Sequence, residues 1–174
     1  TLTIEPSDGQ RYQSTPQLLS PVAPLDSVYA VFKESPEVED EGYYPVWDFT
    51  DPEGSEDFYR WKFYINDTLQ NLAQDILTFS DEFIDGDEIN GAEFILERPL
   101  EEGDILTVEQ LSINEEAQDF LNRIQQLTSG VGGLFDTPPD PVRGNITNTT
   151  DEENYALGFF GASSVVQESV VAGE

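Results

Sequence analysis

Five carboxylates, Asp81, Glu82, Asp85, Asp87 and Glu88, crowd around Gly86 in one short stretch. Oxygen donors grouped in a glycine-containing loop are the chemistry of calcium. Asp81, Asp85, Asp87 and Glu88 are the ligands such a site would draw on. The spacing is not that of an EF-hand. With Asp85-Gly86 at its fifth and sixth positions, Phe83 takes the third, Glu88 replaces an apolar residue, and Ala92 falls where the bidentate glutamate belongs. A solvated acidic loop accounts for the same residues, as it does for Glu37-Val38-Glu39-Asp40-Glu41.

Other chemistries are narrower. The chain has no His and no Cys, which removes Ser-His-Asp and Cys-His catalysis, thiolate metal sites and disulfides. A carboxylate pair can hydrolyse a glycosidic bond without histidine, but among 36 acids some pair is guaranteed and carries no information. The expectation is therefore a protein that is not an enzyme. Tyr43, Tyr44, Trp47, Tyr59 and Trp61 could build a stacking platform for sugars. Strand alternation instead sends Tyr59, Trp61 and Phe63 to the core. Arg60 and Lys62, two of only seven cations, read as partners of cross-strand carboxylates, with an anion site as the sharper alternative.

The net charge of −29 over 174 residues excludes nucleic acid and anionic membrane as direct partners. It favours divalent cations, basic protein surfaces and salty media. No apolar run reaches the length of a membrane span, so this segment inserts no helix itself. With no Met, the sequence reads as part of a processed or longer product.

These residues need elements to hold them. Thr1–Gln13 reads as a hairpin about Ser7-Asp8-Gly9, and residues 14–24 as a proline-rich linker. Leu25–Lys33 and Tyr43–Thr50 read as strands, the second pushed to an edge or bulge by Pro45. Asp51-Pro52-Glu53-Gly54 fits a type I turn into Phe58–Ile65, the strongest strand. Leu69, Leu72, Ala73 and Ile76 admit a short helix within 66–79. Ala92–Glu97 and Gly103–Leu111 are further strands. Ser112 as N-cap with Glu115 opens a helix over about 112–129, its apolar stripe running Ile113, Ala117, Phe120, Leu121, Ile124 and Leu127, with Gly130 to end it. Strand returns at Asn145, and Leu157–Val171 closes the sheet. The fold expected is mainly β, an antiparallel immunoglobulin-like β-sandwich with one amphipathic α-helix packed on it. Residues 1–23 would be the last hairpin of an upstream immunoglobulin-like domain plus linker, and 24–174 the sandwich domain.

Several stretches, taken in order, carry a resemblance. They are Thr3-Ile4-Glu5 with Asp8-Gly9 and Tyr12, Pro24-Leu25-Asp26-Ser27-Val28-Tyr29, Tyr59-Arg60-Trp61, and Gly103-Asp104 with Val108. Ser112-Ile113-Asn114, Arg143-Gly144-Asn145-Ile146 with Asn148, and Leu157-Gly158-Phe159-Phe160 with Ala162-Ser163 complete the set. Together they resemble the latter part of the Bacteroidota outer-membrane lipoproteins grouped as domain of unknown function 4249. The resemblance implies an exported protein anchored by an N-terminal lipid upstream of this chain and displayed on the extracellular face of the outer membrane. It implies a non-enzymatic accessory subunit of a SusC-type TonB-dependent transporter, and no catalytic residue to carry over. The loops from Gly132 to Pro141 and from Asp81 to Asn90 are the expected contacts. The competing expectation is a calcium-stabilised extracellular carbohydrate-binding or adhesive β-sandwich. In a bacterial setting, the Asn-X-Thr triplets at Asn66, Asn145 and Asn148 are expected to be chance.

Overall fold

The structure, a computed structural model, describes residues 1–34, 40–129 and 141–174. A short hairpin, β1 (Thr3–Ile4) and β2 (Tyr12–Ser14), leads through the proline-rich passage to β3 (Leu25–Lys33) and β4 (Gly42–Thr50). Next come β5 (Phe58–Ile65), β6 (Thr68–Leu69), a 3-10 turn at Ala73–Asp75, β7 (Leu77–Ser80), β8 (Glu88–Glu93) and β9 (Ile105–Ile113). Helix α1 (Glu115–Ser129), β10 (Ile146–Asn148) and β11 (Val165–Val171) complete the order. The protein is mainly β, with antiparallel sheets and a single α-helix among the described residues.

Two sheets form the sandwich. One runs β3–β4–β8; the other runs β11–β9–β5, with β6 and β7 both paired to the far side of β5. β5 alternates strictly, so Tyr59, Trp61, Phe63 and Ile65 are buried while Arg60, Lys62 and Tyr64 face outward. Trp47 and Phe49 of β4 meet them from the other sheet. Trp47 lies 5.2 Å from Trp61 and 5.5 Å from Phe63, ring centre to ring centre. Each such aromatic contributes about 1.5–3 kcal/mol by leaving water. Leu106 and Val108 of β9 are fully buried behind them. Trp61 Nε1 donates to Gln110 Oε1 at 2.9 Å, and the Gln110 amide donates to the Ala23 carbonyl at 2.8 Å, whereas Trp47 Nε1 is buried with no acceptor among the described residues.

The predicted sugar platform is overturned by this packing. Tyr44, Trp47, Tyr59 and Trp61 are buried, and Tyr43 is half-buried against Phe32. β4 is not an edge, since it lies between β3 and β8, but the alternative of a bulge has a counterpart close by: the register with β8 shifts between Trp47 and Phe49. Pro45 is tolerated because β8 ends opposite Val46; the Pro45 carbonyl accepts from Phe94 beyond that end, at 3.3 Å.

The helix differs from expectation at its start. It begins at Glu115, and the cap is Asn114, whose Oδ1 accepts from the Ala117 amide at 2.9 Å. Ser112 belongs to β9, and its hydroxyl donates to the Ser20 carbonyl at 2.8 Å. Ala117 and Leu121 are buried, and Phe120 stacks on Phe159 at 5.3 Å. The predicted short helix within 66–79 is instead β6, the 3-10 turn and β7, because pairing with both ends of β5 outweighs a weak apolar spacing. The strand expected at Ala92–Glu97 begins earlier, at Glu88, where β8 joins β4. The N-terminal hairpin pairs through β2 with β10, Tyr12 opposite Asn148 and Ser14 opposite Ile146. Glu37–Glu39, Gly130 and residues 132–140, including Leu134, Phe135 and the prolines 138 and 139, lie outside the described residues.

Candidate functional site

The acidic loop between β7 and β8 is held against the turn that follows β4. Strand β4 ends at Thr50, which delivers Asp51 to the end of the aromatic core; β7 ends at Ser80, which delivers Asp81 beside it. Both aspartates are buried, Asp51 at 2 % and Asp81 at 3 % exposed. The Asp51 amide donates to the Asp87 carbonyl at 3.0 Å, and the Asp81 amide to the Asp57 carbonyl at 3.0 Å. Main-chain bonds thus fix where each side chain starts.

The side chains converge. Carboxylate oxygens of Asp51, Asp81 and Asp85 all lie within 4.8 Å of one another. Asp51 is served by protein donors: Tyr59 hydroxyl donates to Oδ1, and the Gly86 amide to Oδ2 at 3.0 Å. Asp85 Oδ1 accepts from the Gly54 amide at 2.6 Å. That amide would close the predicted type I turn; it is spent on the opposite loop instead. Asp81 fares worst, with its buried Oδ2 lacking any hydrogen-bond partner. Burial pushes the Asp81 carboxyl above the usual aspartate range. The charges of Asp51, Asp57 and Asp85 push the same way, and only the Asp57 amide opposes them. The Tyr59 hydroxyl is held strongly in its protonated form, chiefly by burial and then by its bond to Asp51.

The structure therefore brings together two of the four expected ligands, Asp81 and Asp85. Asp87 and Glu88 are not among the converging groups. Both side chains are exposed; Asp87 contributes its main-chain carbonyl to Asp51, and Glu88 pairs opposite Thr50 at the start of β8. A run of acids cannot all face one point once its last members enter an extended strand. The missed member is Asp51, thirty positions upstream of Asp81. Its signal was the Asp-Pro-Glu-Gly stretch where the chain crosses from β4 in one sheet to β5 in the other, visible in sequence but legible only as a turn.

The residues that carry the family resemblance do structural work. Gly144 passes so close to Gly158 that a Cβ would sit 1.8 Å from the Gly158 carbonyl oxygen, so only glycine fits. Asn145 is buried; its amide donates to the Phe160 carbonyl at 2.9 Å, and its Oδ1 accepts from the Phe160 amide at 2.8 Å. Asn148 likewise clamps a turn, accepting from the Thr150 and Asp151 amides. Arg143 lies over the Tyr155 ring at 3.8 Å.

Residues 1–169 match the family described as Domain of unknown function (DUF4249). The chain belongs to this family. No curated protein and no solved structure matches it.

This DUF4249 chain has one further polar site off the core. Lys62 pairs across the sheet with Glu109 at 3.7 Å, as expected. Arg60 does not follow. It faces Leu111 on one side and Thr78 on the other and, among the described residues, makes no ion pair and leaves its buried Nε without an acceptor. Burial lowers its pKa. It lines a pocket of about 270 Å³ with Asn114, Phe120, Phe159 and Ser163, a small cleft with one cationic corner.

Proposed function

We propose that this DUF4249 chain is part of a cell-surface lipoprotein that acts without catalysis, as an accessory subunit of a SusC-type TonB-dependent outer-membrane transporter. The chain would sit on the extracellular face of the outer membrane, held by an N-terminal lipid outside this segment. Its work would be done through protein–protein contacts.

The observation that supports this reading best is Phe83. It stands at 83 % exposure in the loop from Asp81 to Asn90, on a protein of charge −29. That loop is fastened on either side of Phe83, by the Asp81 amide to the Asp57 carbonyl before it and by the Asp85–Gly54 and Gly86–Asp51 bonds after it. A large aromatic held out on a fastened loop suits docking, because little entropy remains to be lost on contact. Among the described residues no helix is long and apolar enough to cross a membrane, and a surface this acidic disfavours nucleic acid.

The test is gentle detergent extraction of native outer membrane, pull-down on this protein, and mass spectrometry. A stoichiometric large β-barrel, lost or sharply reduced with Phe83→Ser, is the expected result. Recovery of the protein alone, also after crosslinking, overturns the proposal. Of the alternative reading, the carbohydrate half loses its stacking residues to the core, while the calcium half keeps candidate ligands in Asp51, Asp81 and Asp85.

A further inference from the structure

We propose that Asp51, Asp81 and Asp85 bind one calcium ion, which pins the β7–β8 loop to the turn between β4 and β5. The inference is independent of any transporter partner.

Three observations carry it. The first is convergence from two distant stretches, with oxygens of all three within 4.8 Å. Neighbours in a charged run do not produce this; it needs the β4–β5 connection, which crosses between the two sheets, and the β7–β8 connection to meet. The second is the orphaned atom. Asp81 Oδ2 is buried with no donor among the described residues, in a residue only 3 % exposed. Buried polar atoms nearly always have a partner, and buried carboxylates need a compensating charge. The third is that no protein cation supplies it. Among the described residues the ion pairs are Arg11–Glu5, Lys33–Glu93 and Lys62–Glu109, none involving this cluster.

The donor set selects the ion. All three ligands are carboxylate oxygens and the chain has neither His nor Cys, so the site suits a hard cation. Calcium accepts irregular shells with bonds of about 2.3–2.6 Å, so oxygens across one ion stand about 4.6–5.2 Å apart. Magnesium needs about 2.0–2.1 Å and a near-ideal octahedron, keeps several of its own waters and is usually held by one or two carboxylates rather than three. Three protein ligands leave the remaining positions to water, which places the affinity in the range of extracellular modules, about 10⁻⁴–10⁻³ M. Tyr59 and the Gly86 amide already hold Asp51 from behind, as outer-shell donors hold metal ligands elsewhere. The Gly54 amide does the same for Asp85.

The experiment uses the chain after exhaustive chelation. Thermal unfolding is followed against calcium, magnesium and sodium at matched ionic strength, since any salt screens a charge of −29. Calcium should raise the melting temperature saturably and more than magnesium. Titration calorimetry should count one site per chain, and terbium substituted for calcium should luminesce on excitation of Tyr59 and Trp61 nearby. Asp85→Asn, at an exposed position that tolerates change, should weaken calcium binding by about tenfold or more, and Asp81→Asn should abolish the calcium-specific shift. Asp87→Asn should leave it intact. A calcium shift that survives both Asp81→Asn and Asp85→Asn would be general screening, and the site would be refuted. Equal shifts with magnesium would overturn the choice of ion.

Discussion

Asp48 and Asp81 are two aspartates of one sandwich treated in opposite ways. Asp48 lies in β4, on the outer side of the hairpin. Its carboxylate accepts from the Ser27 hydroxyl, from the Gly91 amide at 2.6 Å, and from the Tyr29 hydroxyl at 3.3 Å. Those donors, Ser27 foremost, hold its pKa below the ordinary value. Asp81 is more deeply buried, stands among three other aspartates, and is displaced upward. The fold completes the first carboxylate from its own donors. The second it completes only in part, and that gap is the one the proposed calcium ion would fill. Depth alone does not decide whether an acid is at rest; the number of donors aimed at it does.

That contrast can be attacked in order of expected effect. Phe120→Ala, which removes the Phe159 stack at the helix and touches neither acid, should cost about 2 kcal/mol in urea unfolding. Its loss should be the same with and without calcium; a calcium-dependent loss would mean the two ends of the molecule are coupled. Tyr59→Phe strips Asp51 of its side-chain donor and should cost about 1–2 kcal/mol in chelator, read from the same denaturation midpoint. Asp81→Asn should move the other way, gaining about 1 kcal/mol in chelator because an uncompensated buried charge is removed. Destabilisation there would show that Asp81 is already satisfied and would erase the difference from Asp48.

The smallest effect belongs to Asp48→Ala, about 0.5 kcal/mol near neutral pH, discounted for its solvent screening. Its sign with pH is fixed. A depressed folded pKa gives stability that is present above the ordinary aspartate value of about 3.9 and is lost as pH falls through the folded value. Midpoints of the variant and the parent should therefore converge in acid. A gap that persists there would assign the loss to packing.

The strands were legible where side-chain alternation and burial agree. Leu25–Lys33 and Phe58–Ile65 match β3 and β5 end to end, and the run of Tyr59, Trp61, Phe63 and Ile65 is the buried face it reads as. The helix was legible in its stripe but not at its start, because Ser112 and Asn114 are both competent caps and only the continuation of β9 through Ile113 decides between them. The site was half legible. Asp81 and Asp85 announce themselves by crowding, whereas Asp51 joins them only through tertiary approach. Arg60 shows the same limit: a cation in a strand predicts a carboxylate opposite, but the register puts Leu111 there.

The pairing of β2 with β10 joins Gln13 to Thr147 across nearly the whole described chain. Closing such a span is slow relative to local hairpins, since its entropy must be met before any contact rewards it. Until Ile146–Asn148 arrives, the outer edge of β2 offers unpaired amides and carbonyls. Kinetically, then, the N-terminal hairpin should lock late. Thr147→Pro, which denies Gln13 its partner across the pair and leaves β11 in place, would keep the aromatic core yet open that strand edge, and should aggregate through it.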